Sequence, residues 1–151
     1  TIAHAGIAFT SVGLPAWTAL GLDRSDPGYQ GLLKHPRAIS AVGIDCLMTK
    51  RSTFEEHGGF DARYTSRYGD VDYCLTLREA GLVTVITPYV ELRKRCATPA
   101  DFDAPNRDSD ELVHEQYAHL LVKHARASVE GDPSYNPNFN QYGPVNRYFH
   151  L

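Results

Sequence analysis

Hydrophobic positions along the chain change their spacing within one short stretch of the sequence. Residues 69–81 (GDVDYCLTLREAG) place apolar side chains at helical intervals, with acidic residues at the start and Gly81 at the end, which predicts a helix. Residues 82–87 (LVTVIT) are mostly β-branched and precede a proline, which predicts a strand. A helix, a glycine and a strand in succession form an αβ unit. The chain is therefore predicted to be α/β, with a mixed sheet and flanking helices.

Before this unit the pattern predicts short strands separated by irregular chain. Residues 1–10 alternate small and β-branched side chains and predict a short strand or two, with Gly6 as a weak point. Residues 11–37 contain seven glycines and prolines, which predicts an irregular loop long enough to be functional. Residues 38–49 form an apolar run that predicts a buried strand.

Two further helices are predicted, one on either side of the αβ unit. Residues 51–57 predict one or two helical turns, capped by Ser52 and stopped by the glycine pair that follows. Residues 109–129 predict one long helix with Ser109 as its cap. Its predicted apolar face consists of Val113, Tyr117, Leu120, Leu121 and His124. Residues 131–151 combine asparagine, glycine, proline and aromatic residues and predict an irregular tail whose aromatic rings dock on another surface.

Length and composition narrow the classes of function. The 151 residues fit a single domain, 1–151, in which 1–50 hold strands and loop, 51–95 hold the GGFD and GDVD motifs, and 96–151 hold a loop, the long helix and the aromatic tail. Hydrophobic residues make up 42% and charged residues 22%, as in folded globular proteins. The formal net charge of −3 argues against nucleic acid as a partner. No apolar stretch is long enough to form a transmembrane segment.

Cysteine and histidine usage predicts no disulfide framework and no metal cluster. Three cysteines favour a reducing compartment, and Cys46 and Cys74 lie in apolar segments where core positions are expected. The histidines of the long helix recur every five residues, so each step turns about 140° around the axis and the side chains do not align as ligands. Structural or exposed histidines are therefore favoured. Because the chain begins at Thr1 without a methionine, we expect either a processed chain or a piece of a longer protein, and we favour the piece.

Two acidic side chains at the start of the 69–81 helix are the clearest candidates for chemistry. Asp70 and Asp72 point about 200° apart around a helix axis, so they cannot clamp one metal ion together. A carboxylate in the first turn is kept ionised by the positive helix end, which suits it to accept a proton from a hydroxyl. Spacing alone leaves two roles open for Asp70, a helix cap and a general base.

Several strings of the sequence, taken in order, resemble the family 2 glycosyltransferases of the GT-A fold. These strings are GGFD (58–61), GDVDYCLTLREAG (69–81) and the strand that leads into TPYVEL (87–92). Upstream, IAHAGIAF (2–9) and AVGIDCLMTKRSTFEEHGGFD (41–61) resemble the family's preceding strand and acceptor loop. DPSYNPNF (132–139) resembles the tail of certain bacterial members. The resemblance runs nearly from end to end.

The resemblance implies a function and a set of site residues. Asp70 would be the general base that deprotonates an acceptor hydroxyl, which then attacks the anomeric carbon of a nucleotide-sugar. The chain would be the C-terminal, acceptor-side portion of the catalytic domain, with a nucleotide-sugar donor and a glycan acceptor as partners. The substrate-binding residues implied in the same way are Gly58, Gly59, Asp61, Gly69, Asp72 and Lys94.

The sequence also departs from the family pattern. Such enzymes bind the nucleotide and metal through an upstream half with a DxD motif, so Mg or Mn is expected in the complete enzyme and no cofactor in this portion. Lys94 stands where the family often places a metal-binding histidine, and Gly69 stands where an acidic residue or asparagine is usual. These departures favour an alternative, a non-catalytic glycosyltransferase-like module that binds glycan or a partner protein.

The same reasoning yields expectations for assembly and location. An open half-sheet exposes an edge and an apolar face, so we expect pairing with the missing half or a homodimer. The resemblance implies polysaccharide biosynthesis in the cytoplasm. Two locations fit this role, the cytoplasm itself and the cytoplasmic face of the membrane. The catalytic role of Asp70 would be contradicted by a carboxylate that bonds only to main-chain amides and has no cavity beside it.

Overall fold

The structure, a computed structural model, describes residues 1–10, 13–65, 67–93 and 110–134. It confirms the mixed α/β class. In chain order the elements are β1 (Ile7–Phe9), β2 (Pro15–Trp17), a 3₁₀ segment (Tyr29–Lys34), β3 (Arg37–Ala38), a 3₁₀ turn (Ile44–Cys46), α1 (Arg51–Glu56), α2 (Gly69–Glu79), β4 (Val85–Ile86), α3 (Asp110–Lys123) and α4 (Ala125–Glu130). The predictions for Lys94, Ser109 and the tail beyond residue 134 lie outside the described residues.

The strands form two small antiparallel ladders in the described part of the chain. β1 pairs with β2, and β3 pairs with β4. Ile7 of β1 also exchanges two main-chain hydrogen bonds with Ala41, at 2.8 and 3.1 Å, so β1 lies between β2 and the chain that follows β3. Predicted strands are thus confirmed within residues 1–10 and 82–87, although each is shorter than the pattern indicates. The region 11–37 is largely irregular, as predicted, but contains β2.

The predicted buried strand over residues 38–49 is wrong beyond its first residue. Ile39 and Ala41 are buried, but the chain then turns into the 3₁₀ turn and leaves Cys46 exposed. Main-chain bonding explains the change, because the Ile44 N–H donates to a side chain of α2 instead of to a neighbouring strand. The prediction that Cys46 is a core residue is therefore wrong, whereas Cys74 is buried as predicted.

Helix α1 begins two residues earlier than its predicted cap requires. Its N-cap is Lys50 and no side chain caps it, so Ser52 lies inside the first turn and the capping prediction is wrong. The predicted stop is confirmed. Gly58 and Gly59 have left-handed φ values of 79° and 65°, and the Gly59 N–H donates to the Phe54 carbonyl at 2.9 Å.

Helix α2 forms over the predicted residues and lies at the centre of the fold. Five consecutive residues, Val71–Leu75, are buried in its middle. Gly81, with a φ of 82°, ends the helix, and the next N–H returns to the Leu77 carbonyl at 2.9 Å. The core around α2 comprises Ile7, Phe9, Ala41, Val71, Cys74, Leu75, Leu120 and Ala127. No helix among the described residues has the length and apolar character needed to cross a membrane.

The single helix predicted over residues 109–129 is wrong at one position. The chain breaks at His124, whose φ of −114° and ψ of 42° are not helical, and α4 starts with the next residue. Leu120 and His124 are buried, as the predicted apolar face requires, but Gln116 is buried too. The break has a tertiary cause, because the His124 ring is held between two carboxylates of α2.

Candidate functional site

Asp70 lies half-buried in the first turn of α2, beside the 3₁₀ turn. Its Oδ2 accepts the Ile44 N–H at 2.9 Å and its Oδ1 accepts the Val71 N–H at 2.9 Å. The second bond satisfies one of the unpaired donors at the helix start, although the N-cap residue itself, Tyr68, makes no side-chain capping bond. Both of these partners are main-chain amides, which is one half of the condition that would contradict a catalytic role. A carboxylate offers about four lone-pair sites, so each oxygen retains capacity for a further donor such as a hydroxyl.

Asp72 points away from this surface and into the interior, as expected for two residues about 200° apart on a helix. It is 1% exposed. Its Oδ1 lies 2.8 Å from Lys123 Nζ and 2.9 Å from His124 Nε2, and its Oδ2 lies 2.9 Å from Lys123 Nζ. Burial raises the pKa of Asp72, but hydrogen bonds from His124 and Lys123 outweigh it, so the net pKa lies below its usual value. This enclosure favours a structural role for Asp72 over the predicted contact with substrate.

His124 links both ends of α2 to the break between α3 and α4. Its Nε2 lies 2.9 Å from Asp72 Oδ1, and its Nδ1 lies 2.7 Å from Glu79 Oε1. A neutral imidazole can donate from only one ring nitrogen, so two carboxylate partners require the protonated ring. Burial lowers the pKa of His124, but hydrogen bonds to Asp72 and Glu79 outweigh it and raise the pKa above its ordinary value. His124 is therefore a structural histidine, the class that the sequence favours.

The carboxylate of Asp61, at the end of the GGFD motif, joins the same group of charges. Arg63 holds both of its oxygens, with nitrogen–oxygen distances of 3.0, 3.1 and 2.6 Å, and the Arg63 N–H donates to Oδ1 at 3.0 Å. Hydrogen bonds from Arg63 lower the pKa of Asp61 well below its usual range. Lys123 Nζ lies 3.4 Å from Asp61 Oδ2. Lys123 thus bridges Asp61 and Asp72, one carboxylate from each motif. We call Asp61, Asp72, Glu79, Lys123 and His124 the ion cluster.

The glycine pair of GGFD shapes the turn that carries Asp61. A Cβ on Gly59 would lie 2.8 Å from the Phe54 ring, whereas a Cβ on Gly58 would meet nothing within 4 Å. The close approach at Gly59 lets Phe54 pack against Phe60 and Tyr73, with ring centroids 5.1 and 5.3 Å away. The pair therefore ends α1 and seats the turn against α2. Their predicted contact with substrate remains a prediction.

Gly69 is the first residue of α2 and brings no side chain to the position where the family pattern usually has an acid or asparagine. A Cβ there would lie 3.4 Å from the Tyr64 Cβ, an ordinary to tight contact. The residue before it, Tyr68, has a left-handed φ of 67°. The start of α2 is thus shaped by main-chain conformation, and Asp70 is the first side chain in the helix that carries a charge.

Asp132 is a carboxylate with several partners that sequence reasoning missed. Its Oδ2 accepts the Phe9 N–H at 2.7 Å, and its Oδ1 accepts the Ser40 hydroxyl at 2.6 Å and the Ser134 N–H at 2.7 Å. These bonds fasten the chain after α4 to β1. The available signal was its place at the head of the DPSYNPNF string. Sequence reasoning also missed Lys123. Its signal was weaker, a cationic side chain at the end of α3 next to the buried His124.

The described residues do not fit a site for Mg or Mn. No group of three or more histidine, cysteine, aspartate or glutamate side chains within them could hold a metal ion. The oxygens of Asp72 face two cationic side chains, and those of Asp70 each have an amide partner.

Comparison with known proteins reveals distant relatives, each much longer than this chain. The chain is 31% identical over 139 residues to an uncharacterized protein, y4gI, of Sinorhizobium fredii, covering 91% of this chain and 15% of that protein. It is 29% identical over 141 residues to the O-antigen biosynthesis protein RfbC of Myxococcus xanthus, covering 91% and 10%. It is 33% identical over 78 residues to an N-acetylglucosaminyl-diphospho-decaprenol L-rhamnosyltransferase of Mycobacterium tuberculosis, covering 52% and 23%. The two relatives with functional names support a glycosyltransferase-like relationship.

The coverage limits what these relatives contribute. This chain spans between 10% and 23% of their lengths, so it corresponds to one part of each. No protein-family model matches the chain, and no solved structure matches it.

Proposed function

We propose that this chain is the acceptor-side portion of a family 2 glycosyltransferase catalytic domain with a GT-A fold. In this proposal Asp70 accepts the proton of an acceptor hydroxyl. The hydroxyl oxygen forms a bond to the anomeric carbon of a nucleotide-sugar, and the bond from that carbon to the diphosphate breaks. The relatives named for O-antigen biosynthesis and rhamnosyl transfer support this assignment to polysaccharide biosynthesis.

The single observation that carries the proposal is the placement of Asp70. Its carboxylate stands half-buried at the N-terminal turn of a helix whose next five residues are buried, and the Ile44 N–H orients it. The lone pairs that Asp70 retains can receive a hydroxyl. A carboxylate positioned in this way suits general base catalysis.

The ion cluster fixes α2 beneath this carboxylate. Lys123 and His124 hold Asp72 two residues after Asp70, and His124 holds Glu79 near the other end of the helix. A base must be held within about 0.5 Å of its productive position by rigid support. Donor binding and Mg or Mn belong, in this proposal, to an upstream half with a DxD motif.

Sugar transfer by the longer protein that contains this chain tests the role of Asp70. We expect Asp70→Asn to lower kcat by about a hundredfold or more, because general base catalysis typically contributes 10²–10⁴-fold. Asp26→Asn is a matched control, since Asp26 is also half-buried and its Oδ1 also accepts a main-chain N–H, from Gly28 at 2.7 Å. Transfer at the wild-type rate by Asp70→Asn would contradict the assignment.

A non-catalytic module that binds glycan or a partner protein is the second candidate. The observation that favours it is that both oxygens of Asp70 have main-chain amide partners, as in a purely structural cap. This candidate predicts no sugar transfer by the wild-type longer protein under conditions in which the chain binds saccharide. Transfer that depends on Asp70 would exclude it.

A further inference from the structure

A tryptophan stands partly exposed at the end of β2, against the loop that contacts Asp70. Trp17 is 42% exposed, and its ring centroid lies 4.4 Å from that of His4. A Cβ on Gly43 would lie 2.9 Å from Cζ3 of the indole. The backbone at Gly43 has a φ of −71°, which any residue adopts. A side chain at this position would therefore cause no backbone strain, but it would occupy the space that the indole fills.

The indole and the Asp70 carboxylate flank the same two residues of main chain. The indole packs on Gly43, and the next residue, Ile44, donates its N–H to Asp70 Oδ2 at 2.9 Å. Standard bond lengths then place the nearest indole carbon less than about 10 Å from the carboxylate oxygen. One or two sugar rings span such a separation. Ile44 itself is 63% exposed, so the same turn also presents an apolar side chain to solvent.

We propose that Trp17 forms an acceptor-sugar subsite, in which one face of a pyranose ring stacks on the indole while hydroxyls of the acceptor reach Asp70. This proposal rests on the proposed function and names the substrate class, a neutral saccharide. Ligand sites typically combine aromatic surface with a few placed polar groups. The C–H face of a sugar matches the indole, and its hydroxyls are donors for a carboxylate that is an acceptor only.

The position of the indole depends on the glycine beneath it. An added methyl at Gly43 would lie 2.9 and 3.0 Å from two indole carbons and 3.2 Å from a His4 ring carbon, so Trp17 must move. Gly43→Ala therefore displaces the platform while leaving the indole in the protein. It provides a second variant that does not remove a large side chain.

Saccharide binding to the 151-residue chain tests the subsite without any requirement for turnover. Trp17 is the single tryptophan, so its fluorescence reports on this position alone. We expect titration with cellobiose, maltose or chitobiose to change Trp17 emission, and saturation-transfer NMR to show the bound disaccharide. Trp17→Ala should weaken binding about tenfold or more, which is the loss expected for removal of one stacked aromatic ring. Gly43→Ala should weaken binding and shift the emission of the free protein. Tyr29→Ala is the control, since Tyr29 is an aromatic residue with the same 42% exposure.

Three results would overturn the subsite. These are no binding of any of the three disaccharides to the wild-type chain, unchanged binding by Trp17→Ala or Gly43→Ala, and equal loss in Tyr29→Ala. Each leaves the transfer assay with Asp70→Asn unaffected, so the subsite and the proposed function fail separately. If Asp70→Asn abolishes sugar transfer while Trp17→Ala leaves saccharide binding unchanged, the proposed function stands and the Trp17 subsite is excluded.

Discussion

Replacement of His124 by glutamine removes the charge at the centre of the ion cluster. His124 is 1% exposed, and Asp72, its partner at 2.9 Å, is also 1% exposed. Loss of one partner from a buried ion pair typically costs about 3–5 kcal/mol. Because Lys123 still pairs with Asp72 in the variant, we expect a cost near the lower end, about 3 kcal/mol. Domains of this size unfold with about 5–15 kcal/mol, so a loss of about 3 kcal/mol removes roughly a fifth or more of the variant's stability.

The pH dependence of this loss follows from the direction of the pKa shifts. The pKa of His124 is raised above its ordinary 6.5, so its contribution is fully present below pH 6.5 and is lost as pH rises through the folded-state pKa. The pKa of Asp72 lies below its ordinary 3.8, so its contribution is present above pH 3.8 and is lost as pH falls through the folded-state pKa. The ion cluster therefore contributes most to stability between pH 3.8 and pH 6.5.

Urea unfolding at pH 5.5 and pH 9 measures the effect. The free energy of unfolding of the wild-type protein should be lower at pH 9 than at pH 5.5. The difference should be smaller for His124→Gln, because the titrating group is gone. His35→Gln provides the control, since His35 is exposed. Combination of His124→Gln with Asp72→Asn should cost less than the sum of the single changes, by about 0.5–3 kcal/mol. The reasoning is refuted if wild-type stability is the same at both pH values, or if the two single changes add.

Two further predictions concern the frame around the site. Asp132→Ala should lower the free energy of unfolding by about 2–4 kcal/mol, because it leaves the Phe9 N–H and the Ser40 hydroxyl without their charged acceptor. Thermal unfolding checks this, and an Asp132→Ala variant as stable as the wild-type protein would count against it. Gly59→Ala should cost roughly 1–3 kcal/mol and more than Gly58→Ala, because both have a left-handed φ but only Gly59 lies under the Phe54 ring. Equal losses in urea unfolding would show that strain alone decides both.

Local pattern was sufficient for the elements whose limits are written in neighbouring residues. The span of α2 follows from acidic residues at its start and Gly81 at its end, and both lie within the helix or next to it. The stop of α1 follows in the same way from its glycine pair. Residues 38–49 could not be predicted in this way, because an apolar composition does not reveal that the Ile44 N–H is taken by Asp70, 26 positions along the chain.

The candidate site divides along the same line. Helical geometry alone separates the directions of Asp70 and Asp72. Which of the two faces inward depends on partners from distant sequence, since Lys123 and His124 lie about 50 positions away. The break at His124 has the same origin, because helix propensity favours continuation and two carboxylates of α2 prevent it.

The sequence by itself therefore determined the α/β class, the span and ends of α2, and the placement of Asp70 in a helical first turn, since these depend on periodicity and on residues a few positions apart. Only the tertiary structure decided which carboxylate is buried, where α3 ends, and that Trp17 and Asp70 flank the same turn. Burial and charge pairing join residues far apart in the chain, and no local pattern records those pairings.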